Sequence, residues 1–468
     1  MINDNSTPSG LMGEVSTHFQ KIKSIGLSEN EAFKFDESHS HEIPTDDEIS
    51  GNKNLLFGDD PDMQSMAINF FSQALMTVNQ EIISRILSLS NSNDTDLIES
   101  IIDFLCNAIK SREFPIDILT SLNTPVFLLT IIQNSQDVTL QSAAIYAIFL
   151  FSKRSQIFAL QFINQGVVQK CCEIIHHSLL AKGNIQLISR CLVYMNHTFK
   201  SLENCDSLAP SAIPLYQELL SKTINNKVIG ELTLNSLRFF IMQCSDAVLA
   251  QMLNESFVNL LDNLVTASEE SAILVLNLFV SISFHSSAFS LPILPILEKI
   301  IQQDFSQCAR AIEIKLTLLA TLRNLAANDD PHILEFMVSQ PVMLFLQHSV
   351  ENQPYAILKQ AVFVFAYLSN SAIDSFQQHI WENNKNVIIT MFELLDINDL
   401  EAVLNCFETV RNLLIYLQKT NEASFVECVQ MLMSLDAESI IQDVLDSCVD
   451  SPNLIALADE LCNILVSI

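Results

Sequence analysis

VFLLTIIQNSQDVTLQSAAIYAIFLFS, residues 126–152, holds two apolar runs parted by a short polar break. Val126 to Ile132 is almost wholly apolar, and Gln133 to Asp137 is polar. Leu140, Ala144, Ile148 and Phe151 then fall on one side of a 3.6-residue turn. A strand would alternate every second residue, and this stretch does not. It predicts two helices joined by a polar connection. IESIIDFLCNAI (98–109), AILKQAVFVFAYLS (356–369) and AVLNCFETVRNLLIYL (402–417) carry the same spacing, and no region sustains a period of two.

The helices recur in groups of three, and one member of each group ends in a Leu/Ile-rich run. These third-helix endings read VFLLTIIQNS (126–135), VVQKCCEIIHHS (167–178), AIPLYQELLSKT (212–223), FVNLLDNLVTAS (257–268), ILPILEKIIQQD (293–304), VMLFLQHSVENQ (342–353) and VIITMFELLDIN (387–398). Successive endings lie roughly 40 to 45 residues apart, the period of armadillo and HEAT arrays, in which no repeat buries its apolar face alone. Residues 63–468 are therefore expected to form an all-α, armadillo/HEAT-type right-handed superhelical solenoid. Residues 1–62 differ: they hold 13 acidic residues against 4 lysines and no apolar period. They read as a disordered acidic arm with room for one short helix.

Composition agrees with helices and excludes other classes. Hydrophobic residues make up 49% of the 468, and only 8 are glycine, where about 7% glycine is usual. That disfavours turn-dense β architectures and phosphate-cradling loops. The formal net charge is -30, which repels phosphate backbones and anionic lipid head groups; no nucleic-acid or membrane partner is expected. A basic, extended peptide is the complementary ligand, though acidity also serves solubility alone. Ser271 to Leu297 lacks Asp, Glu, Lys and Arg, yet six serines, two prolines and His285 interrupt it. A break near Ser286 and Ser287 would leave two helices too short to span a bilayer. The eleven cysteines form no CxxC pair, and MINDNSTPSGLMGE lacks the basic start and apolar stretch of a secretory signal. Reduced, buried thiols in an intracellular protein are expected.

Several repeats carry a closer likeness. KSREFPIDILTSLNTPVFLLTIIQNSQDVTLQSAAIYAIFLFS (110–152), with Pro115, Ile116 and Asp117 in its turn, resembles the first repeat boundary of importin-α. KQAVFVFAYLSN (359–370) and VIITMFELLDINDLEAVLNCFETVRNLL (387–414) resemble that family's last full repeats. The resemblance implies an adaptor that holds extended, basic localisation peptides in a concave groove and works in cytoplasm and nucleus. In importin-α a Trp and, four residues later, an Asn line that groove. An amide both donates to and accepts from a peptide bond, and an indole face attracts a cation. Here Asn196, Asn324 and Asn412 stand at the Asn position, with Leu192, Ala320 and Glu408 at the Trp position. Other repeats place Ile145 and Phe149, or Phe363 and Tyr367, at the pair. The single tryptophan, Trp381, reads as lying in a turn. HFQKIKSIGLSENEAFKFDESHS (18–40) has the layout of the family's importin-β-binding arm. At the positions where that arm is basic it holds Phe33, Phe35, Asp36 and Glu37, with Lys34 alone basic among them. The resemblance thus does not bring importin-β recruitment or autoinhibition with it.

Three readings follow. The first is the importin-α-like adaptor, with Asn196, Asn324, Asn412, Ile145, Phe149, Phe363 and Tyr367 contacting peptide. The second is a repurposed armadillo scaffold that uses its apolar positions for hydrophobic anchors, with no localisation-signal binding. The third is a HEAT-like regulatory subunit of an enzyme complex. Mid-helix Asn also faces solvent or bonds a carbonyl, and the four apolar positions also suit a core. No enzyme and no cofactor are expected, since no nucleophile, phosphate-loop or HExxH motif occurs. Cys171, Cys172, His176 and His177 form the one Cys/His cluster, and it lacks further ligands at a metal-binding spacing.

Overall fold

The computed structural model describes residues 44–466 apart from 93, 112–113, 116–117, 120–123, 181–183, 224–225, 306–307, 352, 371–373, 394–398 and 448–450. Ile116 and Asp117 of the expected turn, and residues 1–43 of the expected arm, lie outside the described residues. Every regular element among the described residues is a helix. The long ones are α1 (Pro61–Gln73), α2 (Thr95–Lys110), α3 (Val138–Arg154), α4 (Ile185–Ser201), α5 (Lys227–Gln243), α6 (Glu269–Ile282), α7 (Ala311–Ala326), α8 (Tyr355–Asn370) and α9 (Leu400–Thr420).

Polar residues placed just before the apolar runs start these helices. The side chains of Asp60, Asp94, Asp137, Asn226, Ser268 and Asp399 each accept from a first-turn amide. Asn184 does the same for Gln186 and Leu187 at the head of α4. Each cap satisfies a donor that the helix cannot bond internally. α7 has no side-chain cap; the turn just before it is held from another repeat, where the Glu269 carboxylate of α6 accepts from the amides of Ala309 and Arg310, at 3.2 and 2.9 Å.

The chain divides into two compact units, Met1–Ile174 with Lys182–His197, and Ile175–Ala181 with Thr198–Ile468. In the first, α1 packs on α2, α2 on α3, and the shorter helix Thr124–Asn134 backs α3. Phe71, Phe104, Phe151, Phe158 and Phe162 are fully buried there. The Arg154 guanidinium donates to the carbonyls of Ile109 and Ser111, tying the end of α3 to the end of α2. In the second unit α5, α6, α7, α8 and α9 pack in succession, each on the next. A second layer backs them: Ala209–Thr223 on α5, Glu255–Val265 on α6 and Gln340–Val350 on α8. The last helix, Pro452–Val466, closes on α9.

The Leu/Ile-rich endings are the third, backing helices of their groups: Val138–Arg154 (long) and Gln156–Asn164 (short) precede Val167–Leu180, and Ala311–Ala326 and Pro331–Met337 precede Gln340–Val350. Two sequence expectations change. Within the expected arm 1–62, residues 46–56 are helical, because Thr45 and Glu48 bond reciprocally as a capping box. The acidic run Asp46, Asp47 and Glu48 is the first turn of that helix, where negative charge suits the helix dipole. Trp381 sits in the helix Asp374–Asn383 and not in a turn; it is buried, with the Lys385 ammonium 3.9 Å from its ring centre. The uncharged stretch is broken between Ile282 and Ser287, and no helix among the described residues is long and apolar enough to cross a membrane.

Candidate functional site

The long helices carry every residue singled out for peptide contact, and the structure sorts those residues into different situations. Asn324 is half-buried on α7. Its amide nitrogen donates to the Val280 carbonyl at 3.2 Å and the Ser283 hydroxyl at 3.0 Å, both at the end of α6. Asn412, half-buried on α9, donates to Asn370 Oδ1 at 2.6 Å and accepts from the Nε and Nη2 of Arg411. Asn370 in turn donates to Glu408, the residue at the Trp position. Asn324 and Asn412 therefore already act as amide clamps, each holding the neighbouring long helix. Asn196, in the other unit, is 8% exposed, and its Oδ1 is buried without a partner.

The apolar candidates lie mostly inside. Ile145 is fully buried, and Phe149 and Phe363 nearly so. They complete the core between helices, because a 16- or 17-residue helix packed on two sides has few positions left for solvent. Phe149 meets His197 edge to face at 5.5 Å. Phe363 lies under the Arg323 guanidinium and the Lys359 ammonium, at 5.6 and 5.4 Å. Tyr367 alone of the four is half-exposed. Leu192 and Ala320, at Trp positions, are buried. No side chain there builds a slot for a Lys or Arg stem.

The Cys/His cluster is split by its surroundings. Cys171 is buried and hydrogen-bonded to Cys191, which together with burial holds its thiol protonated far above the usual range. Burial also pushes the Cys172 thiol upward. His176 turns outward to the Glu218 carboxylate at 2.6 Å, which also takes Lys222 at 2.6 Å. Among the described residues no group of three or more His, Cys, Asp or Glu is placed to hold a metal ion.

One constellation escaped the sequence reading. The position just before the Asn register is arginine on three long helices: Arg238 in LRF, Arg323 in LRN and Arg411 in VRN. Arg411 reaches the Glu460 carboxylate at 3.4 Å. Among the described residues Arg238 has no such acid. Its Nε is buried without a hydrogen bond, burial disfavours its charged form, and no neighbouring carboxylate offsets that. Its guanidinium lies 5.7 Å from the ring centre of Phe239, which occupies the Asn position on α5. The ammonium of Lys200, exposed at the end of α4, lies 5.7 Å from the same ring. The recurring L/V-R-N/F triplet was the available signal, but whether an arginine is paired depends on residues some forty positions away.

A cleft of about 830 Å³ opens beside Leu294–Ile301, α7 and Gln340–Val350, with Ile312, Leu344 and Phe345 on its walls beside Lys315 and His348.

No protein-family model and no curated protein sequence matches the chain. Solved structures do. One is the crystal structure of an engineered protein, at TM-score 0.66 and 12% identity over 90% of this chain and 99% of that one. Another comes from work on a phosphorylation switch in the interaction between cadherin and β-catenin, at TM-score 0.53 and 14% identity over 89% and 82%. A designed armadillo repeat protein matches at TM-score 0.43 and 16% identity over 54% and 99%. At these identities the likeness is one of fold alone, an all-α arrangement of repeated helices.

Proposed function

We propose that this chain is a binding scaffold without catalytic activity, which holds an extended segment of a partner protein across its long helices as an importin-α-like adaptor does in transport between cytoplasm and nucleus. The observation that carries the reading is the pair of asparagines at one register position on α7 and α9, both half-exposed. An amide in that place can trade its bond to the neighbouring helix for one to a peptide backbone, since it offers donor and acceptor together. The net charge of -30 favours a basic segment and draws it in from a distance. The buried Leu192 and Ala320 remove the aromatic slots, so the backbone is gripped more than the basic side chains.

Fluorescence anisotropy of a labelled Lys/Arg-rich peptide titrated with the full chain tests this. Saturable binding is expected, weakened roughly tenfold in Asn324→Ala with Asn412→Ala, the effect of losing one or two backbone hydrogen bonds. Binding that ignores both asparagines and vanishes with added salt would leave only diffuse acidity. The repurposed scaffold would then be the better reading.

A further inference from the structure

We infer that Arg238, with Phe239 and Lys200 beside it, receives one acidic side chain of the bound segment, so that the partner is basic in general but carries an Asp or Glu at this place. The inference rests on the scaffold reading above and adds the residue that sets its specificity.

Charge bookkeeping makes Arg238 stand out. The chain has 54 acidic residues against 24 Lys and Arg, so a cation finds an acid easily. In the same unit Lys227 pairs with Glu270 at 2.9 Å, Lys299 with Asp262 at 2.6 Å, Arg310 with Glu313 at 2.6 Å and Lys359 with Asp399 at 3.0 Å. Arg238 is more desolvated than an exposed lysine yet has none of this. A desolvated guanidinium without a carboxylate is unfavourable in the free protein; its Nε is closed off, so a carboxylate laid against the remaining nitrogens offsets the charge with charge-assisted bonds. The Phe239 face supplies an apolar floor and holds the guanidinium plane, while Lys200 adds a second positive charge on the open side.

A carboxylate suits the position better than a phosphate. The field of a chain at -30 opposes any anion, and it opposes a doubly charged one about twice as strongly. Arg238 lies on α5 and Asn324 two long helices further on, at α7. Packed helices sit about 10 Å apart, so the two lie about 20 Å from each other along the ladder. An extended chain covers that distance in about six residues. The acidic residue is therefore placed about six positions from the one whose backbone meets Asn324.

The test uses an array of immobilised dodecapeptides that includes Lys/Arg-rich sequences with and without Asp or Glu, and with phosphoserine at the same places. It is probed with the full chain, with Arg238→Met and with Arg238→Lys. The wild type is expected to bind basic peptides that hold one Asp or Glu about tenfold better than their Asn or Gln analogues. Arg238→Met should erase that preference while basic peptides still bind, and Arg238→Lys should keep part of it because the charge remains without the fork. Thermal melts supply a readout free of any peptide: Arg238→Met should raise the Tm of the unliganded chain by about 1 to 2 °C. A lowered Tm, or an acid preference unchanged in Arg238→Met, overturns the inference and leaves the scaffold reading intact. Preference for phosphoserine over Asp and Glu overturns the carboxylate assignment. Absence of binding to every peptide overturns the scaffold reading, and this inference with it.

Discussion

Asn196 shows how much a single amide depends on what faces it. Its Oδ1 is buried and unbonded, a desolvated acceptor that gains nothing in the folded chain. Asn196→Leu, of similar volume, is expected to be neutral or to stabilise by about 1 kcal/mol in urea melts. A clear loss would mean that the amide is paired. Asn412→Ala should behave oppositely, costing about 1 kcal/mol or more, because Asn370 Oδ1 loses its donor and Arg411 loses two of its bonds. The three asparagines looked equivalent in the sequence, since each stands four residues after a fixed register point. What separates them is the neighbour: Val280 and Ser283 for Asn324, Asn370 for Asn412, none for the Oδ1 of Asn196. Those neighbours come from the preceding repeat, where local spacing says nothing about side-chain reach. The same limit hid Arg238.

At the scale of elements the helices and their order of long, short and backing members were legible. The 3.6-residue period of LQSAAIYAIFLF or AVLNCFETVRNLLIYL is a property of the segment itself, so both became helices where expected. How one repeat is bonded to the next lies outside that period. Asp399 shows the strength of such junctions. Burial pushes its carboxyl upward, but hydrogen bonds from the Lys359 ammonium, the Tyr355 hydroxyl and the Ala402 amide outweigh that and hold it below the usual range. A carboxyl depressed in the folded chain adds stability that is complete above its unfolded value. That stability fades as pH falls through the folded one. Asp399→Asn should therefore lower the urea midpoint at pH 7, and lower it less near pH 3, below the unperturbed carboxylate value of about 3.9. Equal losses at both pH values would assign the effect to packing instead. His285 makes another junction, with Nδ1 at 2.9 Å from Asp246 and Nε2 at 2.9 Å from the Ile241 carbonyl, at the end of α5. His285→Phe keeps the ring and should cost about 1 to 2 kcal/mol through the lost bonds.

The whole chain carries its excess of negative charge mostly unpaired, because 24 cations cannot neutralise 54 acids. Self-repulsion of that size destabilises a compact state and is screened by salt. The Tm should rise by on the order of a few degrees between low and physiological ionic strength. A fall would mean that the paired lysines outweigh the repulsion. Composition alone showed this charge, and it also set the expected partner. It could not show that Arg238, buried at its Nε, has no acid beside it among the described residues. The Glu269 carboxylate over the amides of Ala309 and Arg310 bears on a different question, how such a chain grows and shrinks in evolution. Repeats that each carry their own start signal can be duplicated or excised like beads. Here the turn that leads into the bead beginning at Ala311 is held by the one before. Excising the α6 repeat would leave the turn before α7 without its carboxylate and cost about 1 to 2 kcal/mol beyond the lost packing. The pair is thus a unit of inheritance, and gain or loss of repeats at this point should proceed two at a time.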